Sequence, residues 1–469
     1  MWKSIAGWAS NQVRSEREKL RDLDGLPFAE LLPAARVEQA FEDEGAALRN
    51  ARVYKPLATL WTFLSQVLSP DHSCREAVAR LRAFLTADGR TPCAPDTGPY
   101  CKARQRLPEG VCARLVRQTG GQIHDRIGQP SLLSGRPVKL VDGSTVSMPD
   151  TPANQAEYPQ SRAQQPGLGF PLARIVGLIS LTCGAVLDLA IAPYQGKQTG
   201  ETALFRQLWR SLFAGDIVVG DRYFASYWDL ALLALGGADS VFRQHQLRLT
   251  REQRVKRVGA GDYLLRLPEP QRPRWLDKAS YRRIPDELIV REVTVRVKVR
   301  GFRVRELTLV TTLCDARTTS AGELAEVYRL RWHAELDLRT IKVTMQMDVL
   351  RCKTPDMVRK EIWMHLLAYN LLRGVMAEAA LRHGVHPRDV SFKGALQTLS
   401  AYRPLVERGS ATVLPALYDD LLSAIASHRV GNRPNRYEPR AIKRRPKSQA
   451  LLTIPRRDAK RLLAAGLTD

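Results

Sequence analysis

The stretches Val138-Lys-Leu-Val-Asp142 and Asp216-Ile-Val-Val-Gly-Asp221 decide the fold, because each is a short apolar run that ends on an acid. Val, Ile and Leu suit a pleated, buried surface, and a terminal carboxylate marks where such a strand leaves the core. Between them, residues 173–182 and 185–193 form two further apolar runs, and the intervening Cys183-Gly184 reads as a hairpin turn. Residues 201–213 carry the period of an amphipathic helix, residues 227–235 read as a second helix, and Ser240-Val-Phe as a fifth strand. The order is three strands, helix, strand, helix, strand.

That order is the one of the RNase H-like fold, in which the first and fourth strands lie side by side. It would bring Asp142 and Asp221 together. The expected fold class is therefore α/β, a mixed sheet whose closing helix is delayed by a β-rich insertion. In the insertion, Val293, Val295, Val297 and Val299 alternate with Thr294, Arg296, Lys298 and Arg300, and Gly301 turns the chain into Phe302-Arg-Val-Arg305. Strand alternation places the cations on one face. Like charges crowded there repel, so Arg296, Lys298 and Arg300 are candidate contacts to a DNA backbone.

The flanks read as helical. Leu57, Leu60, Trp61, Leu64 and Leu68 recur at helical spacing after Pro56, and Ser73 with Glu76 forms a capping-box pattern ahead of Val78, Leu81 and Leu85. A short basic helix carrying Tyr100, Lys102, Arg104 and Arg106 follows, so the region resembles a helix-turn-helix reader. A helix is expected from Ser320 past Lys342, then an apolar helix over 362–375, then helices and loops over 385–427. The expected division is a helical DNA-binding region (1–130), the first part of the core (131–246), the β-rich insertion (247–318), the closing helices (319–380) and a helical carboxy-terminal region with a basic tail (381–469).

Among the 469 residues, Lys and Arg outnumber Asp and Glu by 72 to 48, a net +24 that points to a polyanionic partner, nucleic acid first. From His428 onward twelve cations face Glu438, Asp458 and the terminal Asp469, and proline interrupts them, so an extended tail that needs a partner is expected. Seven cysteines without a C-x-x-C pair give neither a disulfide framework nor a structural zinc site. No long apolar run follows Met1-Trp-Lys-Ser, so no signal peptide, no membrane anchor and a cytoplasmic, nucleoid-associated protein are expected.

The closing helix carries Tyr328, Arg331, Glu335 and Lys342 within a sector of roughly 60° at about 100° per residue. Leu324, Val327, Leu330, Leu338, Ile341 and Met345 form the adjacent apolar stripe. A polar quartet that borders the buried face is unlike ordinary surface ion pairs, which sit away from the core. Strand-end acids are commonly turn or cap residues, and Asp150, Asp216, Asp229 and Asp337 belong to that background. His333, inside the helix but outside the quartet, reads as structural. Asp142, Asp221 and Glu335 together supply the hard oxygen donors that two-metal phosphoryl transfer needs.

The spacing Tyr-x2-Arg-x3-Glu-x6-Lys resembles the signature of a branch of bacterial insertion-sequence transposases, the insertion sequence four family. The blocks around Val141-Asp142-Gly-Ser-Thr, Val219-Gly-Asp221-Arg-Tyr-Phe224, Arg351-Cys-Lys353-Thr-Pro355 and His365-Leu-Leu-Ala-Tyr-Asn370 are similar in style. The resemblance runs from about residue 50 to the tail. It implies a DDE transposase in which Asp142, Asp221 and Glu335 are catalytic and hold two Mg²⁺ ions, with Mn²⁺ able to substitute. It implies that Tyr328, Arg331 and Lys342 contact double-stranded DNA, as terminal inverted repeats and as target, and that a homodimer forms on paired ends. A hairpin intermediate and a flipped base are further implications, with Trp275 and Trp332 as candidate aromatics for that base. Two other readings stay open, a catalytically silent DNA-binding derivative and a non-transposing RNase H-like nuclease.

Overall fold

A computed structural model describes residues 31–45, 53–87, 89–128, 132–245, 248, 250–296, 306–408, 412–431 and 451–467. Helices α1 (Ala34–Asp43), α2 (Pro56–Val67), α3 (Cys74–Ala87), α4 (Gly98–Arg106) and α5 (Glu109–Ile127) precede the sheet. The core follows as β1 (Val138–Ser147), α6 (Pro152–Glu157), β2 (Leu172–Ser180), β3 (Val186–Pro193), α7 (Glu201–Gln207), β4 (Ile217–Gly220), α8 (Tyr227–Leu235) and β5 (Asp239–Arg243). Next come β6 (Arg254–Gly259), β7 (Asp262–Pro268), α9 (Lys278–Tyr281), β8 (Glu287–Arg296) and β9 (Glu306–Thr311). The closing elements are α10 (Ala321–Leu330), α11 (Trp332–Arg339), α12 (Pro355–Arg382), α13 (Phe392–Arg408), α14 (Leu414–Ser427) and α15 (Arg456–Ala464).

The strands join in one nine-stranded sheet of order β3-β2-β1-β4-β5-β9-β8-β7-β6. Strand β2 runs antiparallel to β1 and β3, whereas β1, β4 and β5 run parallel. This is the RNase H-like arrangement, with the first and fourth strands adjacent as their sequences predict. The turn between β2 and β3 requires Gly184, whose φ of +76° is costly for a residue with a Cβ. Strand β1 runs five residues beyond Asp142, farther than its apolar run suggests. Its antiparallel partner β2 stays paired as far as Ser147↔Leu172, while the described pairing with β4 ends at Leu140↔Val219. The helix expected over 201–213 closes at Gln207, and a 3-10 turn follows at Trp209–Ser211, where Arg210 and Ser211 bond the buried Asp188.

The insertion is no separate layer. Strand β9 pairs with β5, so the inserted strands extend the core sheet. The alternation of an apolar and a basic face is expected from Val293 onward, and among its described residues Val293 is buried and Arg296 exposed, whereas just upstream β8 is buried on both sides. Val290 and Val293 fill apolar space, while Arg291 binds Asp262 and Glu292 binds Gln244 and Arg254. Arg296 is exposed and pairs with Glu306 at 3.4 Å, so an acid of the protein itself relieves part of the charge expected on that face. Lys298 and Arg300 lie outside the described residues.

Apolar cores lie on both sides of the sheet. One gathers Leu140, Ile217 and Val219 with α5, α10, α11 and α12; the other gathers Val141, Val176 and Val218 with α7 and α8. Helix α12 is longer than its apolar stretch suggests, and it is buried over most of its 28 residues. Asn370 on α12 donates to the carbonyls of Val116 and Val186 and accepts from the Val186 N–H, which locks α5, α12 and β3 together. At Gly120 a Cβ would stand 2.1 Å from the Val186 carbonyl oxygen, so the close approach of α5 to β3 needs glycine.

Helix α4 does form, but its basic residues do not share one face. Arg104 is buried, bonds Gln66 and the Cys74 sulfur, and stacks on Phe63 and Tyr100. Lys102 and Arg106 remain exposed. In the tail, where an extended chain is expected, residues 456–464 form the exposed helix α15. Much of the rest of the tail lies outside the described residues. All seven cysteines are free, and among the described residues no helix is long and apolar enough to cross a membrane.

Candidate active site

Strand register places the two aspartates. Leu140 on β1 faces Val219 on β4, and Asp142 and Asp221 each stand two residues further along. A step of two returns a side chain to the same face. Leu140 and Val219 point into the core shared with the closing helices, so both aspartates project toward that side. Asp221 caps a 3-10 turn, Arg222–Phe224, by accepting the Arg222 N–H at 2.7 Å.

The helix that brings Glu335 begins with a full capping box between Ser320 and Glu323. Its apolar stripe is buried as expected at Leu324, Val327, Leu338, Ile341 and Met345. The helix is not continuous. Bonds from Arg331 N to Tyr328 O and from Ala334 N to Arg331 O tighten the chain at Arg331, dividing α10 from α11. Residues Thr340–Thr344 then widen into a π turn, a local form enriched at functional sites. The quartet survives both irregularities. Arg331 donates to Glu335 at 2.7 Å and lies 5.7 Å from the Tyr328 ring centre, and the Lys342 ammonium donates to Ser144 Oγ at 3.0 Å. Lys342 thus ties the far end of the helix to β1, just beyond Asp142.

A second tie lies beyond the helix. The Ser147 N–H donates to the Asp348 carbonyl, and the Leu350 N–H donates to the Ser147 carbonyl. Buried Glu361 accepts the N–H groups of Arg351 and Cys352, and Asn154 bonds the Cys352 carbonyl. The loop bearing Arg351 and Lys353 is therefore clamped to the strand that bears Asp142.

Burial raises the Asp142 carboxyl to about 6, and the nearby Glu335 and Glu201 push in the same direction, while the Gly143 N–H and Arg331 pull the other way. Burial likewise raises the Tyr328 phenol, with Asp221 adding to the effect and Arg331 and Arg243 opposing it. These influences place Asp142 near Arg331 and Glu335, and Tyr328 near Asp221. The Nε of Arg331 is buried and makes no hydrogen bond. Glu201 was not foreseen from sequence. An acid in the first turn of a helix is ordinary, and nothing local signals what it faces.

Among the described residues no three His, Cys, Asp or Glu side chains converge into a ready-made metal cage. The donor chemistry nevertheless fits a hard divalent ion. The available ligands are carboxylate oxygens, and the partly buried Asp142 feels two other acids, Glu335 and Glu201, against the one nearby cation Arg331.

Three of the background acids, expected as turn or cap residues, are instead buried in ion pairs. Asp216 pairs with Lys139, Asp229 with Arg206 and Ser226, and Asp337 with Arg373 and Arg388. Burial lowers His333 to about 4, so its ring is neutral near pH 7. Of the two tryptophans, Trp332 is 56% exposed beside Arg331, whereas Trp275 packs at the second core beneath the Arg206 guanidinium.

Residues 133–371 match the family described as "Transposase DDE domain". The chain belongs to that family and is a DNA transposase. It is 28% identical to the transposase InsG of insertion sequence element IS4 from Escherichia coli K12, over 86% of this chain and 88% of that protein. It is 22% identical to the putative transposase y4zB of Sinorhizobium fredii, over 65% of this chain and 78% of that one. Among solved structures, the piggyBac transposase synaptic complex with hairpin DNA aligns over 88% of this chain and 87% of that one, at 10% identity and a TM-score of 0.42.

Proposed function

We propose that this insertion-sequence transposase binds the terminal inverted repeats of its element, cuts them with Asp142, Asp221 and Glu335 as catalytic carboxylates, and joins the freed ends to target DNA. The observation that carries this reading is the register-matched pair of aspartates on adjacent parallel strands, facing the helix that holds Glu335 beside Asp142. Asp142, Asp221 and Glu335 hold two Mg²⁺ ions, with Mn²⁺ as a substitute. When bound, the ions lower the charge on the reacting phosphate and favour the ionised form of the attacking hydroxyl.

The chain's own groups set the geometry. Arg331, whose Nε makes no hydrogen bond among the described residues, and Lys342, on the π turn beside Ser144 of β1, suit a phosphate beside the scissile bond. Tyr328 donates from the Asp221 side. Water attacks the phosphodiester, the P–O3′ bond breaks, and a 3′-hydroxyl is released. That hydroxyl attacks a phosphate of the opposite strand, forms a hairpin and expels the 3′-oxygen of the flanking DNA; a second water hydrolyses the hairpin phosphodiester, and the regenerated 3′-hydroxyl attacks a target phosphate and expels a target 3′-oxygen. The exposed Trp332 is better placed than Trp275 to take an extruded base. Arg296, Lys298 and Arg300 belong to the backbone-binding surface. A homodimer on paired ends, acting on nucleoid DNA in the cytoplasm, completes the reading.

The test is cleavage of end-containing DNA in Mg²⁺. Asp142→Ala should abolish it, and undiminished cutting in that variant refutes the assignment. Strand-transfer products separate a transposase mechanism from a nuclease that only cuts. Removing residues beyond 430 should weaken DNA binding and flatten its salt dependence, since each phosphate contact contributes to that slope.

A further inference from the structure

Lys342 is fixed to β1 at two points, one through its backbone and one through its side chain. The Asp348 N–H donates to the Lys342 carbonyl at 3.1 Å, and the Asp348 carbonyl in turn accepts the N–H and the hydroxyl of Ser147. A parallel bridge between Ser147 and Val349 completes this clamp, on the edge of β1 that β4 leaves beyond Leu140. The tip of the side chain is held elsewhere, because the ammonium donates to Ser144 Oγ at 3.0 Å. Side chains alternate along β1, so Ser144 shares the face of Asp142, two residues before it, and of Val146, two residues after it, which is buried toward the closing helices. Among the described residues no carboxylate pairs with the ammonium, and its partner is this hydroxyl. A neutral acceptor leaves the lysine its full charge and two further N–H donors. A lysine side chain also loses much rotamer freedom when it is ordered, and a hydroxyl that orders it beforehand removes part of that cost from binding.

We infer that Ser144 is a positioning residue for the reaction, whose hydroxyl holds the Lys342 ammonium on the Asp142 side of the sheet, ready for a phosphate oxygen of the DNA end. The inference rests on the reading of Lys342 as a DNA contact. The Ser144 oxygen accepts from the ammonium, so its own proton stays available to a phosphate oxygen as well. A carboxylate in that place would neutralise the lysine, and a methyl group would leave its tip unheld. The backbone of Lys342 is clamped through Asp348, so removing the hydroxyl frees the side chain without loosening the turn that carries it.

The test uses the full-length protein and a duplex carrying one end of the element. Three quantities are read: the dissociation constant without Mg²⁺, the single-turnover cleavage rate with Mg²⁺ at saturating protein, and the melting temperature. Ser144→Ala should slow cleavage by about tenfold, the size of one hydrogen bond to a charged group, and weaken end binding by about threefold. Ser144→Thr, which keeps the hydroxyl on a residue that suits a strand, should recover most of both. Ser144→Ala should melt with the parent, because the clamp through Asp348 is intact. The deciding comparison is the pair of variants together. In a Lys342→Ala background Ser144→Ala should cause no further loss, since the group that it positions is gone. Binding reports this even where Lys342→Ala no longer cuts. Binding and cleavage by Ser144→Ala equal to the parent's, an undiminished loss in the Lys342→Ala background, or a loss that comes with a lower melting temperature overturns the role of Ser144. Lys342→Ala that binds and cuts as the parent does overturns the DNA contact on which the inference rests.

Discussion

Asp337 and Glu335 stand two residues apart on α11, and their surroundings differ completely. Asp337 is 1% exposed and accepts hydrogen bonds from the Tyr369 hydroxyl and from the guanidinium groups of Arg373 and Arg388. Both of its oxygens are satisfied by the fold. Glu335 looks the other way, toward Asp142, and among the described residues has a single bridge, to Arg331. Among the described residues Asp142 itself accepts only the N–H of Gly143. A buried charge with a full set of partners holds elements together. A partly exposed carboxylate with few partners is left open to something that arrives from outside.

The largest effect should come from breaking the satisfied network. Asp337→Ala leaves two buried guanidinium groups without their anion, and the loss should be about 3–5 kcal/mol in a denaturant titration. A loss below 1 kcal/mol would mean that water replaces the carboxylate, and the contrast with Glu335 would collapse.

Asp142→Asn should act in the opposite sense on stability while abolishing cleavage. The folded protein holds this carboxyl near 6, above the usual carboxylate value, so the group binds its proton more tightly folded than unfolded. Its favourable contribution is full below about pH 4 and is lost as pH rises through 6, where the charged form is penalised. Parent and variant should therefore melt alike near pH 4, and the variant should melt higher at pH 7–8, by at most roughly 3 kcal/mol. Added Mg²⁺ should narrow the gap by stabilising the parent alone. Melting curves that coincide at every pH would show that Asp142 is already balanced.

The smallest effect tests a satisfied cation. Arg104→Met should cost about 1–3 kcal/mol through lost bonds to Gln66 and lost stacking on Tyr100. The salt slope of DNA binding, measured by titration, should not change, because the guanidinium points inward. A slope lower by about one unit would place Arg104 on the DNA after all.

The strands were legible in the sequence because burial on both faces leaves unbroken apolar runs, and the acids at 142 and 221 interrupt them where the core ends. Glu335 was legible through the Tyr328–Lys342 spacing, although nothing in that spacing signalled the tightening at Arg331 or the π turn. Directions of charged side chains were not legible. Arg291 counts as a cation in any composition, yet it is fully buried against Asp262 on another strand. Arg104 likewise finds Gln66 on a separate helix. Glu201 escaped notice for the same reason, since its proximity to Gly143 arises only when α7 packs across β1. Periodicity reports which face of an element is wet, and pairing between distant elements decides which charges are spent inside.

The pairing of β5 with β9 has a consequence for how such a chain can change length. The insertion leaves the core after Arg243 and returns at Leu309, and these two residues are direct partners across the sheet. Its exit and entry are therefore one strand spacing apart, about 5 Å. Segments of very different size can be carried between those points, and the helix bearing Glu335 still starts from the same place relative to Asp142 and Asp221. The length of this arm can change without resetting the distance between the carboxylates.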